Sequence, residues 1–163
     1  MHWSPLLEVS FKANFDATLF DGTNSVGIGV VVRDHLGCVS AALSQRVNSI
    51  HSVETTEELA ARWAMVLAGE LSLFNVIFEG DCLRIIQALQ CSGRCKTLFG
   101  HIIEETKRFR CRTLRFCKFQ HVRQDGNKLA HSLARKAILF ANTDVWVEEL
   151  SSKLDDVFQS DLP

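Results

Sequence analysis

No apolar run in the 163-residue sequence approaches the roughly 18 residues that a membrane span requires, so a bilayer partner is not expected. Its six cysteines (Cys38, Cys82, Cys91, Cys95, Cys111 and Cys117) contain no paired CxxC knuckles, which excludes the common zinc frameworks. The N-terminus has no basic segment of the secretory kind, and Glu8 interrupts its short apolar stretch. An intracellular setting, nuclear or cytoplasmic, is therefore expected, with reduced and packed thiols rather than a secreted disulfide framework. Internal repeats and low-complexity linkers are also lacking. A formal net charge of −1 gives no global sign of a polyanionic partner. With 47% hydrophobic and 23% charged residues, the chain suits one domain around a single core.

The charge is small in sum but uneven in place. Seven Lys or Arg and no acid fall between Lys107 and Arg123: Lys107, Arg108, Arg110, Arg112, Arg115, Lys118 and Arg123. From Asp144 onward acids outnumber bases. A neutral domain can carry such a basic stripe as a polyanion contact or as an ordinary solvated face.

Periodicity gives the order of elements. Residues 1–9 read as a lead-in. Val9 to Phe15 alternates as a strand, with Phe11, Ala13 and Phe15 on one face and Lys12, Asn14 and Asp16 on the other. Strands follow at about Val26–Arg33 and Cys38–Gln45, joined by "RDHLGC", where Gly37 suits a positive φ. Helical spacing then runs from about Thr56 to Leu71, followed by the strand "NVIFEG", a short helix from about Cys82 to Gln90 and another over 97–109. "TLRFCKFQHV" reads as a fifth strand, and a last helix runs from near Asn127 to about Phe140. Three sequential strands with tight turns form a meander, and strands reached through helices add in parallel. The expected fold is α/β: a mixed five-stranded sheet with helices on both faces over residues 10–141, then an acidic tail over 142–163.

Three carboxylates occupy informative places. Asp16 interrupts an apolar strand; it either faces solvent or binds something. Glu57 projects into the stripe formed by Ala60, Ala61, Ala64 and Ala68, and so toward the sheet. Complementing the helix dipole explains it equally well. Glu58 has a local explanation, a capping box with Thr55. Asp81 follows an apolar strand at the sheet's C-terminal edge, where ligands of α/β sheets bind and where helices are also capped. If the first and fourth strands are neighbours, Asp16, Glu57 and Asp81 converge, and converging carboxylates call for a divalent cation.

These residues, with the motifs "KANFDATLFDGTNSVGIGVVVRDHLGCV", "ETTEELAARWAMVLAGELSLFNVIFEGDC" and "FQHVRQDGNKLAHSLAR", resemble the ribonuclease H type-1 family over about Phe11 to Phe140. The likeness is to its plant reverse-transcriptase-like branch, of retrotransposon descent. It implies Mg²⁺- or Mn²⁺-dependent hydrolysis of the RNA strand of RNA/DNA hybrids, with two ions in an active enzyme. Asp16, Glu57 and Asp81 correspond to metal-holding acids of the family, and His121 to its loop histidine that assists proton transfer or product release. Asn127, Arg115, Lys118 and Arg123 are the implied nucleic-acid contacts. The sequence departs from the family twice. His131 stands where many members carry a fourth acid; imidazole can ligate a metal but brings no negative charge, so a weakened second metal position is expected. Ala17 replaces a Gly, adding a methyl beside the first acid. The competing reading is a retroelement-derived nucleic-acid-binding module with weakened or lost turnover.

Overall fold

The computed structural model describes residues 10–20, 22–48, 53–73, 75–90, 116–139 and 144–147. The meander forms as its alternation predicts. Strand β1 (Phe11–Phe20) pairs antiparallel with β2 (Ser25–Arg33), and β2 pairs antiparallel with β3 (Val39–Val47). The β2–β3 turn is closed by an amide–carbonyl bond from Gly37 to Asp34 (3.0 Å), with Gly37 at φ +83°. Asp34 caps the same turn, its Oδ1 accepting from the amides of Leu36 and Cys38.

Helix α1 (Val53–Glu70) then carries the chain across to β4 (Asn75–Gly80), which pairs parallel with β1. After α2 (Leu83–Gln90), β5 (Phe116–His121) adds in parallel to β4. Helix α3 (Lys128–Lys136) follows a short 3-10 turn. The sheet has six strands rather than five, in the order β5-β4-β1-β2-β3-β6. Its extra member, β6 (Asp144–Val147), pairs antiparallel with β3 and comes from the segment expected to be an acidic tail. The helix expected over 97–109 lies outside the described residues.

Helices cover both faces, as expected. On one side α1 and α2 pack on the larger core, which joins Ala13, Phe15, Ile28, Val30 and Val32 of the sheet to Ala60, Ala64, Ala68, Ile85, Ile86 and Leu89. The alanine stripe is fully buried and lets α1 lie close to the sheet. Phe15 and Phe78 are wholly enclosed, and each contributes about 2–3 kcal/mol by the area it removes from water. Phe78 also stacks on Phe119, with ring centroids 5.5 Å apart.

On the other side α3 packs Leu129, Ala130 and Leu133 against Val31 and Ala42. It lies directly on β2 because Gly27 and Gly29 present bare backbone there. A Cβ on Gly29 would collide with the Ala130 carbonyl, and one on Gly27 with that of Ala134. Ser44 Oγ donates to the Leu133 carbonyl (2.9 Å), pinning the helix from β3.

Two local expectations change. Helix α1 begins at Val53, so Thr55 lies inside it rather than at its N-cap. Glu58, expected in a capping box, is fully buried. Of the cysteines, Cys38, Cys82 and Cys117 are described; Cys38 is exposed in the hairpin turn rather than packed. Among the described residues no helix is long and apolar enough to cross a membrane.

Candidate metal centre

Parallel pairing of β1 with β4 brings together what the sequence holds far apart. Asp16 lies on β1, Asp81 immediately follows β4, and the first turns of α1 carry Glu57 over the same sheet edge. Each of Asp16, Glu57 and Asp81 offers a ligand oxygen, and these atoms all lie within 4.8 Å of one another. Asp16 sits on the β1 face away from the larger core, as alternation requires. It is nevertheless only 3% exposed, because α3 closes over that face.

The electrostatics follow from burial and mutual repulsion. The Glu57 carboxyl is raised from 4.5 to about 9, first by burial, then by the charges of Asp16 and Asp81 and by a hydrogen bond with Asp16. The Ala17 amide donates to it and opposes the rise. Asp81 is also raised, by burial and by the Asp16 charge, with His131 and His121 opposing. The neighbouring Cys82 thiol is pushed up, chiefly by burial, which keeps it protonated and inert.

Glu57 Oε2 is buried and has no hydrogen-bond partner. Three oxygen donors, one of them so stranded, fit a hard divalent cation: it would neutralise the carboxylates and give the stranded oxygen a partner. The residues present therefore suit a divalent cation.

The other candidates fall into three groups. His131 touches the centre through Asp16 and is not among the grouped donors: its Nδ1 lies 2.6 Å from Asp16 Oδ2, and its side chain remains 34% exposed. His121, at the end of β5, is exposed beside the centre, its Nε2 3.2 Å from the Asp81 carbonyl. Lys118 and Arg123 are exposed as well, and Lys118 pairs with Ile77 on the sheet face that also bears Glu79. Arg115 and the basic residues from Lys107 to Arg112 lie outside the described residues.

Asn127 is drawn into the interior. It is 1% exposed, with its Nδ2 donating to the Phe15 carbonyl (2.9 Å) and its Oδ1 accepting from Asn14 Nδ2 (3.2 Å). Both ends of its amide are engaged inside the protein, which ties α3 to β1. Sequence reasoning also passed over the polar row beside the centre. Asn14 Nδ2 donates to Glu79 Oε1 (3.4 Å), and Lys12 Nζ pairs with Glu79 (3.6 Å). The signal was the two-residue spacing: Asn14 shares a face with Asp16, as does Glu79 with Asp81, on strands in register.

The sequence profile of the reverse-transcriptase-like family matches residues 14–137, a span that includes the three acids and α3. The chain belongs to that family. Its domain is ribonuclease H-like. RNase H1 from the halophilic archaeon Halobacterium salinarum NRC-1 superposes with a TM-score of 0.69 at 19% identity, covering 79% of this chain and 97% of the archaeal one. The N-terminal RNase H domain of rv2228c from Mycobacterium tuberculosis gives 0.69 at 15% identity, covering 94% and 99%. LC11-RNase H1 in complex with an RNA/DNA hybrid gives 0.68 at 18% identity, covering 78% and 96%. At these identities the likeness concerns the fold. Comparison with curated proteins gives no match.

Proposed function

We propose that this domain hydrolyses the RNA strand of RNA/DNA hybrids at a centre held by Asp16, Glu57 and Asp81. The observation that carries the reading is the convergence of these three oxygens within 4.8 Å, one of the carboxylates having an oxygen buried without a partner. Family membership supports it, and the fold is shared with a ribonuclease H bound to such a hybrid.

The residues divide the work by position. Asp16, in contact with α3 through His131, would hold the ion together with the other two acids. Glu57 and Asp81 complete the cradle from α1 and from the end of β4. Mg²⁺ or Mn²⁺ bound there would activate the attacking water and stabilise the leaving oxygen of the phosphodiester, giving 5′-phosphate and 3′-hydroxyl ends. His121, exposed at the rim, is placed to move a proton to or from the reacting groups. Lys118 and Arg123 supply positive charge to the phosphate backbone on the same side.

One observation favours a second reading, a binding module with little turnover. The His131 ring nitrogen occupies an Asp16 oxygen that the reaction needs for a metal. Hydrolysis of a labelled hybrid by wild type, Asp16→Asn and His131→Asp with Mg²⁺ or Mn²⁺ separates the readings. Cleavage by wild type and its loss in Asp16→Asn is the expected result. Cleavage that survives Asp16→Asn refutes the site, and an inactive wild type rescued by His131→Asp favours the binding module.

A further inference from the structure

Beside the metal centre the sheet holds a second polar place. A cavity of about 540 Å³ opens between the first half of β1, β4, the β2–β3 turn and the 3-10 turn that ends at Gly126. That size falls within the range of about 300–1,000 Å³ typical of small-molecule sites. Asn14 and Glu79 line it. Each stands two residues before an acid of the metal centre, Asp16 or Asp81, which is about 7 Å along the strands. Both are buried, at 2% and 7% exposure. Asn14 Nδ2 donates to Glu79 Oε1 and to Asn127 Oδ1, which fixes the sense of its amide: turned over, it would set its oxygen against two acceptors. Asn14 Oδ1 is thereby left buried without a partner. Lys12 Nζ also lies on Glu79 Oε1 (3.6 Å), so Glu79 Oε2 stays open to a further donor.

The lining sets the chemistry of an occupant. Glu79 and Asn14 are acceptors at the buried end and call for N–H or O–H donors. Lys12, Arg33 and the exposed His35 bring positive charge, and Ile77 adds a half-buried apolar surface. Asp34, the other acid of the lining, is already committed to capping its turn. A free amino acid would satisfy both signs and fill little of the volume. A flat base with donors on its edge, carried on a phosphorylated sugar, satisfies both and fills it. We propose that this cavity binds a nucleoside monophosphate, its base donating to Glu79 and Asn14 and its phosphate lying among Lys12, Arg33 and His35. Guanine presents two donors side by side, N1–H and N2–H₂, and so matches two neighbouring acceptors. Such a site needs neither the metal ion nor hydrolysis.

The test is binding in EDTA, apart from any turnover. GMP is titrated into the isotope-labelled full chain, and the amide resonances are followed by NMR for wild type, Glu79→Gln and Lys12→Gln, each checked for folding by circular dichroism. Glu79→Gln keeps an oxygen for Asn14 and Lys12→Gln alters a half-exposed side chain, so both should fold. GMP should shift the Gly37 and Gly126 amides and the Asn14 side-chain amide. Glu79→Gln should weaken it by at least about tenfold, as loss of a charge-assisted hydrogen bond requires, and Lys12→Gln by about threefold. Guanosine and inorganic phosphate, each lacking one end of the ligand, should need at least about tenfold higher concentrations. Absence of these shifts up to about 10 mM GMP overturns the proposal. So do shifts confined to the surroundings of Asp16, Glu57 and Asp81, phosphate that binds as well as GMP, or variants that bind GMP as wild type does.

Discussion

Replacing Glu57 with Gln removes the charge that the fold tolerates least and keeps the side chain's shape. In the ion-free protein the Glu57 carboxyl titrates at about 9 instead of 4.5, so the folded state holds a proton that the unfolded chain releases. The stability associated with that proton is fully present below pH 4.5 and is lost as pH rises through about 9. At pH 7, about 2.5 pH units above the ordinary value, the loss reaches about 3 kcal/mol at 1.36 kcal/mol per unit. Gln has no proton to retain and avoids that loss. Glu57→Gln should therefore match wild type at pH 4, exceed it by about 3 kcal/mol at pH 7, and exceed it by more at pH 8.5. Urea unfolding in EDTA at the three pH values measures the difference. Saturating Mn²⁺ should narrow or reverse it, because the carboxylate then has a counter-ion that Gln cannot use. Stability curves that run parallel with pH for the two proteins would refute the account of Glu57 as a proton-holding, repelled carboxyl.

Gly29→Ala sets a methyl against the Ala130 carbonyl and the Ala134 amide, backbone that cannot yield without moving α3. A loss of about 2–3 kcal/mol in urea unfolding is expected, and an unchanged midpoint would show that α3 sits farther from the sheet. Asn127→Ala strips the Phe15 carbonyl and Asn14 of their partner and should destabilise by about 2–3 kcal/mol. If its thermal midpoint is unchanged while hybrid affinity falls, Asn127 touches nucleic acid after all. Lys118→Gln should weaken hybrid binding and lower the slope of log affinity against log salt by about 1, as loss of one phosphate contact requires. No change in that slope would make Lys118 part of an ordinary solvated face.

Long periodic segments were legible in the sequence because burial dictates them. The meander was plain from alternation, and the alanine stripe announced that α1 would lie close to the sheet and carry Glu57 with it. The convergence of the acids depended on one non-local fact, the pairing of β1 with β4, which no local pattern states. Asp16 was harder to place. Alternation assigned it correctly to the face with Lys12 and Asn14, but its burial comes from α3, more than a hundred residues later in the chain. Glu58 was misplaced for a related reason: its spacing from Thr55 suits a capping box, and tertiary packing buried it. Strand β6 hid in an acidic segment because four residues are too few to show a period.

The contact between Asp16 and His131 spans 115 positions of the chain. Such a centre cannot be assembled piecemeal. Asp16, Glu57 and Asp81 belong to elements that can pair early, but the imidazole arrives only when the last helix docks. Ordering that contact requires closing the whole intervening loop, which makes it among the slowest to form. The burial of Asp16 under α3 is thus also a measure of completed folding. Local opening of α3 alone would uncover Asp16 and leave the three carboxylates in place before the sheet itself gives way.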